Sequence, residues 1–96
     1  MTIRKTARFE VIPEGMQEAL GAIRTFVAHT AQEPGTVMYE SWQSADRPTE
    51  FLHLMAFADD HAEAAHRTSE AVIKFTDVLY PLCSVKPRFE DWRQIS

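Results

Sequence analysis

Residues 50 to 57 read EFLHLMAF. Alternate side chains of an extended segment point to opposite faces, so Phe51, His53, Met55 and Phe57 share one side and Leu52, Leu54 and Ala56 the other. Both sides are largely apolar. One layer of helices covers only one face of a sheet, so the other must meet something else, and for a short chain a second copy is the simplest partner. Residues 36 to 43, TVMYESWQ, alternate in the same way, with Met38, Glu40 and Trp42 against Val37 and Tyr39. The pattern predicts a homodimer packed sheet to sheet. Glu40 on such an interface needs a partner, for which Arg8, Arg88 or a water would serve.

The remaining segments give the order of elements. Residues 3 to 11, IRKTARFEV, set Ile3, Ala7, Phe9 and Val11 against Arg4, Thr6, Arg8 and Glu10, the period of a half-buried strand. Pro13 suits a first helical turn. Met16, Leu20, Ile23, Val27 and Ala31 then recur at helical spacing until Pro34-Gly35 ends the helix. After the turn cluster SADRPT and the strand at 50 to 57, Asp60 as N-cap and Glu63 suggest a capping box for a short helix reaching about residue 67. Thr68-Ser69 recaps the chain, and Val72, Phe75, Leu79 and Leu82 define the apolar stripe of another helix. Residues 85 to 93 are expected to form a last strand, with Pro87 suggesting an edge position or a late start. The order β-α-β-β-α(α)-β predicts an α+β, ferredoxin-like fold, with helices on one face of a four-stranded antiparallel sheet. At 96 residues there is one core and one domain, spanning 1–96.

Composition narrows the function classes. A net charge of −4 argues against a nucleic-acid partner, which requires a basic footprint. No apolar run approaches the length of a membrane span, and the start MTIRKTARFE has no signal-peptide core. The single Cys83 allows no internal disulfide and favours a reducing, cytoplasmic setting. His61 and His66 stand five apart and do not share a helix face as paired ligands would, so no metal site is expected. The three glycines lack the spacing of a phosphate-binding loop. His29 falls off its helix stripe and reads as exposed, as does His61.

His53 is the main candidate for chemistry. It sits mid-strand with no other polar residue on its face. Under the helices it would face an apolar cavity, where desolvation keeps imidazole neutral and able to accept a proton from a phenol or hydroquinone. The alternative is a core histidine bonded to a backbone carbonyl or a neighbouring side chain. Trp42, Tyr39, Phe51, Phe57 and Phe75 would wall a pocket for a planar aromatic ligand, or simply form core.

Glu33-Pro34-Gly35, Tyr39, Phe51, His66 nine residues after Phe57, Ser69, Phe75 and Pro81 together resemble the antibiotic biosynthesis monooxygenase superfamily, over roughly residues 7 to 93. Met55, Phe57, Ala71 and His53 stand where relatives commonly carry Glu, Trp, a second His and Asn. The resemblance implies a dimeric α+β barrel. It also implies a cofactor-independent monooxygenase that uses molecular oxygen on a small phenolic or quinol-type substrate. His53 would be the catalytic base, and Phe57, Trp42, Tyr39, Phe51, His66 and Phe75 would contact substrate. Two alternatives share the fold: a non-catalytic small-molecule-binding or stress-related barrel, and a cofactorless isomerase. For His66, a place near a helix C-terminus also suggests a capping role.

Overall fold

The computed structural model describes residues 1–96. Along the chain run β1 (Ile3–Val11), α1 (Met16–Ala31), β2 (Thr36–Gln43), β3 (Glu50–Phe57), α2 (Asp60–Arg67), α3 (Glu70–Leu79) and β4 (Cys83–Trp92). The strands form one antiparallel sheet in the order β2-β3-β1-β4, the ferredoxin-like α+β arrangement that the element order predicts. Pro87 therefore lies on an edge strand, between the Arg88 and Val85 pairs where the ladder to β1 shifts register.

Register aligns the site. Ala7 stands opposite His53 and Phe9 opposite Phe51 across β1 and β3, while Ser41 faces His53 and Tyr39 faces Met55 across β2 and β3. The face holding Ala7, Phe9, Tyr39, Phe51, His53, Met55 and Phe57 is buried, and Phe26 of α1 and Phe75 and Leu79 of α3 pack on it. The opposite face carries Met38, Leu52 and Leu54, all partly exposed, and the exposed Trp42.

Three local expectations change. The buried stripe of α1 runs through Ala19, Ile23, Phe26 and Thr30, with Ala31 exposed, so the helix is rotated toward Phe26 from the stripe read in the sequence. The aromatic ring has more apolar surface to hide than the Ala31 methyl, and it sets the rotation. The N-cap of α2 is Asp59 rather than Asp60: its Oδ1 accepts the Ala62 N–H at 2.8 Å. The last strand begins at Cys83, two residues before the expected start, because β1 pairs through Val11 with Cys83 beyond a bulge.

Gly35 fixes the junction that matters most to the site. Its φ of 86° is open to glycine at little cost, and a Cβ there would lie 2.5 Å from the Ala62 Cβ. The Gly35 carbonyl accepts the Ala58 N–H at 2.8 Å. The Glu33-Pro34-Gly35 turn is thereby pressed against the start of α2, which carries His66 on its last turn.

Candidate functional site

Between the sheet and the helices lies a cavity of about 430 Å³. Its floor is Ala7, Phe9, Tyr39, His53, Met55 and Phe57. Phe26 and Phe75 cover it, their rings stacked at 4.2 Å and 5°. His66 closes one side, and Phe89 of the edge strand, 60 % exposed, borders the way to solvent. A few hundred cubic ångströms lined mainly by apolar groups is the size and character of a small-ligand site.

His53 is 1 % exposed. Its Nδ1 lies 2.8 Å from the Tyr39 hydroxyl, and its Nε2 has no hydrogen-bond partner. Only one other buried side-chain atom is in that position, Thr30 Oγ1. The Tyr39 hydroxyl makes no other bond within the protein, so O–H donation to Nδ1 satisfies both groups. That choice puts the ring's one N–H on Nε2, so the free nitrogen donates rather than accepts, against the base role expected of His53 from the sequence. Burial pushes the His53 imidazolium down to about 4 and pushes the Tyr39 phenol well above its ordinary value. The neutral imidazole expected from sequence is thus present, together with the side-chain bond of the alternative reading. The unpartnered nitrogen distinguishes this residue from a merely structural histidine, because a buried polar atom without a partner costs about 1–3 kcal/mol.

His66 is 8 % exposed. Its Nδ1 meets Glu33 Oε1 at 3.1 Å, and its ring lies 4.8 Å from Phe57 and 5.8 Å from both Tyr39 and Phe26. Two charged pairs border the cavity, Lys5 with Asp91 at 3.0 Å and Arg67 with Glu63 at 3.2 Å. No group of three or more His, Cys, Asp or Glu side chains is placed to hold a metal ion. His29 and His61 are exposed, as expected, and burial pushes the Cys83 thiol up, in keeping with a packing role.

Of the residues singled out in the sequence, His53, Tyr39, Phe57, His66 and Phe75 meet around the cavity. Phe51 does not line it: the ring is buried one step away, stacked on Phe9 at 5.4 Å. Trp42 is on the wrong face. It pairs with Leu52, is 56 % exposed, and gives its indole N–H to Glu40 at 3.0 Å. The period of two decides this, since residue 42 points away from the side that residue 39 faces. Glu40 accordingly finds its partner on its own strand rather than in Arg8 or Arg88. Sequence reading missed Phe26 and the side chain of Glu33. Ile23, Phe26 and Thr30 recur at helical spacing and would have revealed the first.

The sequence model described as antibiotic biosynthesis monooxygenase matches residues 2–78. No curated protein matches the chain. Among solved structures, one described as an antibiotic biosynthesis monooxygenase superposes with a TM-score of 0.93 at 19% identity, covering 100% of both chains. A Mycobacterium tuberculosis protein gives 0.92 at 18% identity, over 100% of this chain and 97% of that one. A conserved protein from Methanosarcina mazei gives 0.92 at 21%, over 99% and 94%. At these identities the likeness establishes the fold.

Proposed function

This chain belongs to the antibiotic biosynthesis monooxygenase family, and on that premise we propose that it is a cofactor-independent monooxygenase of small phenolic or quinol-type aromatics. The observation that carries the proposal is His53, which lines an apolar cavity and keeps a buried Nε2 without a partner. A flat ring fits between Phe26 and Phe75 above and Met55 and Phe57 below, and one polar atom fixes its orientation. Substrate oxygen meets His53. Tyr39, Phe57, His66 and Phe75 form the walls.

For a hydroquinone the reaction balances without any other reductant. Deprotonation makes the ring electron-rich, and the ring passes four electrons to one O₂. One oxygen atom remains as the new C–O bond of a hydroxyquinone, and the other leaves as water with two hydrogens from the substrate. The protein's part is to bind the ring, remove the proton and exclude bulk water. Met55 and Phe57, where relatives commonly carry Glu and Trp, favour a second reading, a small-molecule-binding protein without turnover.

Oxygen uptake by the chelator-treated protein against a panel of hydroquinones and polyphenols tests the choice. The expected result is uptake above the spontaneous rate, falling about a hundredfold or more in His53→Ala, the usual cost of losing one donor to a developing oxyanion. Uptake unchanged in the variant would remove His53 from the chemistry. Binding without uptake would favour the second reading.

The same proposal includes a homodimer through the open sheet face, where Met38, Trp42, Leu52 and Leu54 lie partly or largely uncovered. The protein is expected to sediment at twice its 11.0 kDa chain mass. Leu54→Arg is expected to yield monomer or unfolded chain, because an unpaired charge buried at an interface costs about 3–5 kcal/mol. Wild type sedimenting as a monomer at micromolar concentration would contradict it. No helix is long and apolar enough to cross a membrane, and the proposal places the protein in a reducing compartment such as the cytoplasm.

A further inference from the structure

We propose that the two histidines of the cavity hold opposite tautomers and divide the work: His53 donates from Nε2 to a substrate oxygen, and His66, held by Glu33, takes the substrate proton at Nε2. The inference rests on the reading of the cavity as a substrate site. Its basis is the pair of hydrogen bonds behind the two rings. The Tyr39 hydroxyl has a proton to give and no other acceptor, so His53 Nδ1 accepts and Nε2 carries hydrogen. Glu33 is a carboxylate, which only accepts, so neutral His66 must donate from Nδ1 and keep its lone pair on Nε2. No protein group bonds to either Nε2.

Both rings lie beside Tyr39, whose centroid is 5.4 Å from that of His53 and 5.8 Å from that of His66. A ligand in the cavity therefore meets a fixed donor at one place and a fixed acceptor at another. Charge favours the same division. Of the other carboxylates nearby, Glu63 is taken by Arg67 and Asp91 by Lys5, which leaves Glu33 as the group that steadies an imidazolium at His66. His53 has no carboxylate partner and sits among Phe9, Phe26 and Phe75. The chemical class this selects is a flat ring with two oxygen functions, one accepting from His53 and one acidified for transfer to His66. In that transfer the substrate O–H bond breaks, a new N–H bond forms at His66 Nε2, and the electron pair stays on the substrate. His66 later returns the proton to the departing water. Glu33 touches no substrate and is a positioning residue.

Long-range proton–nitrogen NMR spectra of the imidazole rings read the tautomers directly in the wild-type protein. At about pH 8, above the ordinary imidazole range, His53 is expected as the Nε2–H form and His66 as the Nδ1–H form. The same tautomer at both, or a doubly protonated His66, would overturn the proposal. A second arm uses 4-nitrophenol, whose phenolate is coloured. Bound to wild type it should ionise about one pH unit lower than in solution, a tenfold change. The shift should vanish in His66→Gln and shrink in Glu33→Gln, while His53→Gln should weaken binding of the phenolate about tenfold. An unshifted probe on wild type, or a shift that survives His66→Gln, would overturn the assignment. Neither arm uses oxygen, so failure of the oxygenase reading appears separately, as tautomers and probe behaving as described with no oxygen uptake.

Discussion

A chain carrying both His53→Leu and Tyr39→Phe is expected to melt at or above the wild-type temperature while losing turnover by a hundredfold or more. The reason is an asymmetry in what buried hydrogen bonds cost. The Tyr39–His53 bond satisfies one nitrogen and one hydroxyl, but it leaves Nε2 buried without a partner. Removing both partners together removes every polar atom of the pair, and replacing a pair by apolar groups of similar shape is close to neutral or stabilising. The single changes differ. His53→Leu leaves the Tyr39 hydroxyl buried without a partner and should cost about 1–3 kcal/mol. For a domain of this size that lowers the melting temperature by about 4–8 °C for each kcal/mol. Thermal melts of the four proteins and their oxygen uptake complete the cycle. A double variant less stable than either single one would mean that the pair holds the fold together, and the argument from the unpartnered nitrogen would fail.

Acid is expected to destabilise the wild type before most carboxylates protonate. His53 resists protonation in the folded state down to about 4, against an ordinary value of 6.5, because burial penalises the charged ring. Between those limits the unfolded chain binds a proton that the folded one refuses, so folding weakens as the pH falls. Above about 6.5 the ring is neutral in both states and the loss is absent; near 4 the loss is complete. The span is worth roughly 3 kcal/mol, a large share of the roughly 5–15 kcal/mol typical of a domain. Urea midpoints measured from about pH 7.5 down to about 4 should fall steeply for wild type and distinctly less for His53→Leu. Equal slopes would mean that the ring is hydrated in solution and the cavity wet.

The fold was largely legible because three of its strands are well-marked runs. Ile3–Val11 has the bounds that alternation suggests, and Thr36–Gln43 and Glu50–Phe57 those of aromatic-rich runs on either side of a turn cluster. The helices were less exact. On α1 several spacings fit an apolar stripe, and the large ring of Phe26 selects among them. Trp42 was drawn into the pocket by its aromatic character, although its own alternation with Tyr39 already put it on the other face. His53 could be picked out as a lone polar residue on an apolar face; its bond to Tyr39 could not, since that depends on how β2 registers against β3. The Glu33–His66 contact spans 33 residues and depends on Gly35 bringing the turn against α2, a closeness that no local pattern encodes.

The sheet order has a consequence for the newborn chain. β1 leaves the ribosome first, yet both of its neighbours come later: β3 from the middle of the sequence and β4 from its end. Arg4 and Trp92 are ladder partners, so the first and last strands are stitched together last. Until then β1 carries an open edge, available to any other extended chain. The cavity also lacks Pro87 and Phe89 until β4 is in place. Ligand can find a finished site only after β4 has been made, and a nascent chain is at its most vulnerable to mispairing in the interval before that strand pairs.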